Sequence, residues 1–107
     1  MLKKKNRANT GEVEKIFKEG RFVNSLNLTF KYIKTNEKET RISFIAPKSV
    51  AKLAVKRNFQ RRKGYSVLKK YINSFPAGIL GVFVFKKYQE DTLIIENEIK
   101  NILSKIN

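Results

Sequence analysis

The chain contains no cysteine and no histidine, and only nine of its 107 residues are acidic. The absence of cysteine excludes disulfides, thiolate metal sites and cysteine nucleophiles, and the absence of histidine removes the commonest general base and metal ligand. The longest apolar run, residues 78–85, is far shorter than a membrane span. Polar residues follow the basic start at residues 3–5, so an export signal is not indicated. We therefore expect a cytoplasmic protein that lacks the side chains most often used in catalysis.

Negative charge is missing from nearly half of the chain. Residues 41–89, the acid-free segment, hold 12 of the 24 lysines and arginines, while five acidic residues precede the segment and four follow it. In a chain with a net charge of +15, these cations repel one another without an internal counter-charge nearby. An external polyanion would relieve this repulsion. The pattern favours nucleic acid as the partner, with an anionic membrane surface as the second candidate.

The length and composition predict one domain spanning residues 1–107. Apolar residues make up 41% of the chain, including eight phenylalanines and four tyrosines, which is enough for a modest core. Residues 1–8 form a polar, basic arm that we expect to be mobile in the free protein. A short helix should follow, because Asn9 and Glu12 fit a capping box and Gly20 suits the C-terminal end.

Alternating apolar and polar residues predict two strands after this helix. In residues 26–33 the inward positions would be Leu26, Leu28, Phe30 and Tyr32. A second alternation over residues 42–46 predicts a strand that pairs antiparallel with the first. Residues 22–23 could add a short third strand.

The second half of the chain predicts helix, strand, helix. Residues 49–73 form the longest helical pattern, with an apolar stripe at Val50, Ala54, Tyr65, Leu68 and Ile72. The apolar run at 79–85 predicts a central strand that is covered on both faces. The isoleucines at 95, 99, 102 and 106 predict a final amphipathic helix that begins at residue 91 or 92. Together, these elements predict an α+β fold, a two-layer sandwich in the order α-β-β-β-α-β-α with one strand–helix–strand crossover.

The basic part of the long helix conflicts with simple amphipathicity. At about 100° per residue, Arg61 falls inside the apolar stripe, where an unpaired cation is costly. Either the first turns of the helix extend past the sheet into solvent, or these residues project into a groove that receives a phosphodiester chain. Arginine suits bidentate phosphate contact, and Asn58 suits a ribose hydroxyl or a base edge. Most aromatic residues are expected in the core, with Phe17 and Tyr32 as candidates for base stacking.

At this point the sequence resembles a known family. Residues 47–62, with Arg57 and Asn58 at their centre, resemble the Arg-Asn-Arg helix of the protein component of bacterial ribonuclease P. The basic stretch 3–7 and the short helical pattern that ends in Gly-Arg at 20–21 are similar to the start of that family. The C-terminal strand and helix also correspond, so the resemblance covers nearly the whole chain.

The chain departs from the family pattern at a few positions. The second Arg of the Arg-Asn-Arg signature is Phe59, a further expected Arg is Tyr65, and Ser49 stands where a second Lys is common. The family's Lys-Arg pair is Arg61-Arg62 here, which preserves both positive charges.

The resemblance implies a protein that assists a catalytic RNA. In that family the RNA subunit holds the active-site magnesium ions and cleaves the 5′ leader from precursor tRNA, so the chain would be a subunit of a ribonucleoprotein endonuclease without a catalytic residue, metal or cofactor of its own. It would be a monomer in a 1:1 complex with ribonuclease P RNA, and its crossover would be left-handed. The RNA-contacting residues would be Lys3, Lys4, Lys5, Arg7, Lys48, Lys52, Lys56, Arg57, Asn58, Arg61, Arg62 and Lys63. The leader would lie in a cleft between the first helix and the sheet, lined by Val13, Phe17 and Tyr32.

Two other functions remain open at this stage. A structural RNA-binding protein, such as a small ribosomal protein, would bind RNA without a specific effect on precursor tRNA. A basic membrane-associated protein would need an exposed amphipathic helix, but the apolar stripe at residues 95–106 is more typical of core.

Overall fold

A computed structural model describes residues 7–106 of the chain. The expected order of helices and strands is confirmed. The elements are α1 (Thr10–Glu19), β1 (Arg21–Asn24), β2 (Leu28–Lys34), β3 (Arg41–Ile45), α2 (Ala54–Tyr71), a 3₁₀ turn (Ile72–Ser74), β4 (Ile79–Phe85) and α3 (Thr92–Ile106). The capping box that predicted α1 is present, since Asn9 and Glu12 each accept a hydrogen bond from the other's backbone N–H, both at 2.9 Å.

The four strands form one mixed sheet in the order β1-β2-β4-β3. β2 pairs antiparallel with β1 and β4, and β3 pairs parallel with β4. The predicted antiparallel pairing of β2 with β3 is therefore wrong, because β4 lies between them. β4 is apolar on both sides and nearly all of its residues are buried, which suits the central position. The handedness of the β3-α2-β4 crossover stays a prediction.

The two faces of the sheet are covered to different extents. α2 and α3 cover one face, where Phe30, Phe83 and the α3 isoleucines are buried in the main core. α1 lies against the other face and buries Ile16 against Leu80 and Val82. Several residues on this α1 side, including Lys31 and Val84, are only half-buried. The α1 side therefore retains an open area beside the helix.

The β1–β2 connection differs from the sequence expectation at its first residue. Leu26 was predicted to face the core, but β2 begins at Leu28 and Leu26 is exposed. Asn27 is buried instead, because the Glu98 carboxylate accepts from its backbone N–H at 2.7 Å and from its Nδ2 at 2.6 Å. The α3 carboxylate thus fixes the turn and sets where the strand starts.

α2 begins later than predicted, at Ala54 and not at residue 49. Turns precede it, in which the carbonyl of Pro47 accepts from the N–H of Val50 at 3.0 Å. Farther along, α2 approaches β3 closely: a Cβ on Gly64 would lie 2.6 Å from a ring carbon of Phe44. This close approach is why glycine occupies a helix interior here, where it ordinarily destabilises.

Candidate nucleic-acid interface

The first half of α2 extends past the sheet. Positions seven residues apart lie on nearly the same side of a helix, so Arg57 shares a side with Gly64, and Arg61 shares a side with Leu68. Gly64 and Leu68 are buried, whereas Arg61 is exposed and Arg57 is half-buried. On this side of the helix, the sheet therefore covers only the second half. Arg61 lies on the helix side that faces the core farther along, but Arg61 itself is exposed to solvent. The energetic cost of burying an unpaired cation, which the sequence pattern suggested, therefore does not arise.

The arginines of α2 have no counter-charge within the part of the chain that the structure describes. Between residues 7 and 106, the ion pairs join Arg41 to Glu12 and, at 2.8 Å, to Glu37. Arg57 Nη1 donates to the carbonyls of Ala51 at 2.9 Å and Lys52 at 2.8 Å.

Arg61 makes a similar neutral contact, since its Nη1 donates to Asn58 Oδ1 at 3.1 Å. These acceptors orient the guanidinium groups without cancelling their charge. Asn58 itself is exposed and keeps its amide NH₂ available for a ligand.

The structure separates the predicted basic residues into two sides of α2. Arg57, Asn58, Arg61 and Arg62 fall on consecutive positions around one side, at about 100° per residue. Lys56 and Lys63 fall on the opposite side. Two other predicted lysines lie in the turns before α2, and both are exposed: Lys48 and Lys52.

Arg7 and Ala8, the described residues of the basic arm, lie at the edge of the sheet beside α2. The Arg7 guanidinium carbon lies 4.3 Å from the centroid of the Tyr65 ring, in a cation–π contact. The Ala8 carbonyl accepts from Ser43 Oγ at 2.8 Å, and the Tyr65 hydroxyl accepts from the Phe44 N–H at 3.1 Å. Tyr65, where the resemblance leads one to expect arginine, thus places a guanidinium from the arm beside α2. The predicted contacts of Lys3, Lys4 and Lys5 lie outside the described residues.

The predicted cleft residues do not all lie on one face. Val13 and Phe17 share a side of α1, and Phe17 is 44% exposed. Tyr32 lies on the opposite face of the sheet, stacked on Phe30 with the ring centroids 5.4 Å apart. The grouping of Tyr32 with Phe17 is corrected accordingly. The physical reason is the two-residue period of β2: α1 packs on the face that Lys31 occupies, so Tyr32 points away from it.

Lys31 and Phe22 lie on the same side of the sheet as α1, and the sequence reasoning did not single out either residue. Lys31 Nζ lies 4.8 Å from the centroid of the Phe17 ring. Phe22 pairs with Lys31 in the β1–β2 register, on the same face, and its side chain is 63% exposed. The alternation in residues 26–33 placed Lys31 at an outward, polar position, and Phe22 was assigned only to a possible short strand. Their place beside α1 depends on how that helix packs on the sheet, so the sequence contained no local signal for it.

Two tyrosines of the described region have shifted pKa values, and no metal-binding cluster is found there. Among residues 7–106, no three His, Cys, Asp or Glu side chains lie together as a metal ion would require. The Tyr71 hydroxyl donates to Glu96 at 2.6 Å, which raises the pKa of Tyr71, and the hydrogen bond from Tyr88 to Glu90 raises the pKa of Tyr88. Both phenols therefore stay protonated at neutral pH. No described helix is long and apolar enough to cross a membrane.

Comparison with known proteins gives a consistent result. A family model described as Ribonuclease P matches residues 1–107. No curated protein sequence matches the chain. The fold is similar to that of the RNase P protein from Thermotoga maritima, with 18% identity and a TM-score of 0.83 over 94% of this chain and 97% of that chain. It is also similar to the Staphylococcus aureus RNase P protein, with 19% identity and a TM-score of 0.77 over 94% of this chain and 95% of that one.

Proposed function

The chain belongs to the Ribonuclease P family, and on this basis we propose that it binds ribonuclease P RNA and the 5′ leader of precursor tRNA. In this role it assists removal of the leader during tRNA 5′-end maturation. It acts as a monomer in a 1:1 complex with the RNA, in the cytoplasm.

The observation that carries the proposal is the uncompensated charge on α2. Arg57, Arg61 and Arg62 form no ion pair with a carboxylate among residues 7–106, and the first half of the helix extends past the sheet. An RNA backbone offers closely spaced phosphates at which planar guanidinium groups can make paired hydrogen bonds. The resemblance to the Arg-Asn-Arg helix supports the same assignment.

Some residues of the proposed interface contact phosphates, and others also hold the interface in position. Arg61 and Arg62 contact phosphates, while Arg57 also holds the turn before α2 through the carbonyls of Ala51 and Lys52. Asn58 hydrogen-bonds a ribose hydroxyl or a base edge. Around this centre, phosphates are also contacted by the remaining basic residues of the proposed interface, namely Lys3, Lys4, Lys5, Arg7, Lys48, Lys52, Lys56 and Lys63.

The open area on the α1 side is the proposed leader cleft. An unpaired base stacks on the exposed ring of Phe17, and Val13 forms an apolar wall one helical turn away. In the free protein, Lys31 Nζ lies above the Phe17 ring. When a base stacks on this ring, the ammonium group of Lys31 moves to a leader phosphate. The cleft thus binds single-stranded RNA without requiring a particular sequence.

Hydrolysis of the phosphodiester is assigned to the RNA subunit together with the magnesium ions that it binds. The protein contributes by holding the substrate and by reducing repulsion between two polyanions. Because this repulsion is greatest when little divalent cation is present, the protein should matter most at low magnesium concentration.

A cleavage assay tests the proposal. Ribonuclease P RNA is incubated with precursor tRNA at a magnesium concentration too low for the RNA to act alone, with and without the protein. We expect the protein to restore leader removal, and the variant Arg61→Ala with Arg62→Ala to restore less. RNA binding without restored cleavage, by a correctly folded protein, would favour a structural RNA-binding protein instead.

A further inference from the structure

The side of α2 opposite Arg61 carries a second group of aromatic and basic side chains. Phe59 is 41% exposed, and Lys63 Nζ lies 5.0 Å from the centroid of its ring. Lys56 Nζ lies 5.6 Å from the centroid of the Tyr88 ring, in the connection between β4 and α3. We refer to Lys56, Phe59, Lys63 and Tyr88 as the aromatic–lysine surface.

A buried glutamine holds this surface together. Gln60 is fully buried, although it lies in the most polar part of the helix, and its Nε2 donates to the Lys87 carbonyl at 2.9 Å. The bond fixes the backbone next to Tyr88 against α2. A helix turns by about 100° per residue. Successive positions around α2 are therefore occupied by Phe59, Lys63, Lys56 and Gln60. The two rings therefore lie on either side of a pair of lysines, in an arrangement set by the core.

The surface has the chemistry that binds an unpaired nucleotide. A flat aromatic ring binds a base of any sequence by stacking, and an adjacent ammonium group binds the phosphate. The neighbouring Val55, one turn earlier, is 70% exposed and extends the apolar area. Among residues 7–106, the carboxylate recorded in contact with the surface is that of Glu90, which accepts from the Tyr88 hydroxyl. The net charge is positive, so a polyanion fits and a second copy of this basic chain is repelled.

We propose that the aromatic–lysine surface is a second RNA-binding site of this protein, at which an unpaired base stacks on Phe59 while Lys56 and Lys63 contact its phosphates. The inference rests on the proposed function, which already counts Lys56 and Lys63 among the phosphate contacts. It adds a stacked base at Phe59, on the side of α2 opposite Arg61. It also explains Phe59, which stands where the resemblance leads one to expect arginine. Replacing arginine with an aromatic ring exchanges a salt-dependent contact for one that depends little on salt.

The first test compares the salt dependence of two variants. The affinity of the full chain for ribonuclease P RNA is measured at several KCl concentrations for the wild type, Phe59→Leu and Lys63→Gln. We expect Phe59→Leu to weaken binding about fivefold or more, the loss expected for one stacked base, with an unchanged slope of log affinity against log salt. Lys63→Gln should reduce the slope by about one. Wild-type affinity and slope in Phe59→Leu would overturn the proposal.

The second test detects stacking directly. The chain has no tryptophan, so Phe59→Trp introduces a single indole at this position. We expect its fluorescence to be quenched on titration with ribonuclease P RNA or, separately, with precursor tRNA, and the RNA that quenches it is the one that supplies the base. The control is Ala77→Trp, an exposed position next to the opposite end of β4, whose emission should stay unchanged.

Failure of this inference is distinct from failure of the proposed function. Intact wild-type RNA binding with an unquenched indole at position 59 overturns the second site alone. Absence of wild-type RNA binding overturns the proposed function. An emission change that depends on protein concentration without RNA overturns the second site in favour of self-association.

Discussion

One side of α2 is buried in the second half of the helix and reaches solvent in the first half. In the second half, residues 64–71, Tyr65, Val67 and Leu68 are buried against the sheet and α3. In the first half, residues 54–63, the equivalent positions carry Arg57 and Arg61, which have no carboxylate partner among residues 7–106. One helix thus contributes first to the proposed binding surface and then to the core. The packed half holds the basic half rigidly in place, which would reduce the ordering cost of the proposed RNA binding.

Substitution in the packed half should affect stability and leave RNA binding intact. Leu68 is fully buried, so Leu68→Ala should lower the free energy of unfolding by about 3 kcal/mol, from lost burial and the cavity left behind. Urea denaturation measures this loss. The matched control is Ser66→Ala, an exposed position on the same helix, with no expected change. A large loss of RNA affinity in folded Leu68→Ala would show that the two halves are not separate.

The same contrast appears on α1, where Ile16 is buried and its neighbour Phe17 is 44% exposed. Phe17→Ala should reduce the preference for leader-bearing over mature tRNA about fivefold, equivalent to about 1 kcal/mol of stacking, with little loss of stability. Competition binding to the complex of protein and RNA measures the preference. Tyr32→Leu, on the opposite face of the sheet, should retain it. Retained leader preference together with lower thermal stability in Phe17→Ala would instead indicate a core role.

Arg41 contrasts with the arginines of α2, because this cation of the acid-free segment has its own counter-charges, Glu12 and Glu37. Arg41→Ala should change the free energy of unfolding by about 1 kcal/mol or less, as is usual for partly exposed ion pairs. It should leave the salt dependence of RNA binding unchanged. Salt-titrated binding measures this, and a reduced slope would place Arg41 in the interface.

Much of the fold follows from local sequence signals. The capping box at Asn9 and Glu12 marked the start of α1, and the α3 isoleucines at 95, 99, 102 and 106 are all buried as their spacing predicted. The absence of acidic residues over 41–89 pointed to α2 as the charged surface before any contact was known. These features are local in the chain, and helix caps and helical periodicity depend mainly on local interactions.

The errors arose where long-range packing decides the outcome. Strand order depends on which strand is apolar on both sides and on the path of the crossover, so the neighbours of β3 could not be read from its own alternation. Glu98, far away in sequence, determines that β2 starts at Leu28 and leaves Leu26 exposed. The face of Tyr32 was unknown because the alternation of β2 does not show which side α1 covers.

Whether RNA phosphates neutralise the arginines of α2 is best measured by the salt dependence of RNA binding in the double variant Arg61→Ala with Arg62→Ala. We expect the slope of log affinity against log salt to fall by about two relative to wild type, one for each lost phosphate contact, while the free energy of unfolding stays unchanged. An unchanged slope in a correctly folded variant would contradict the claim that RNA supplies the counter-charge for α2.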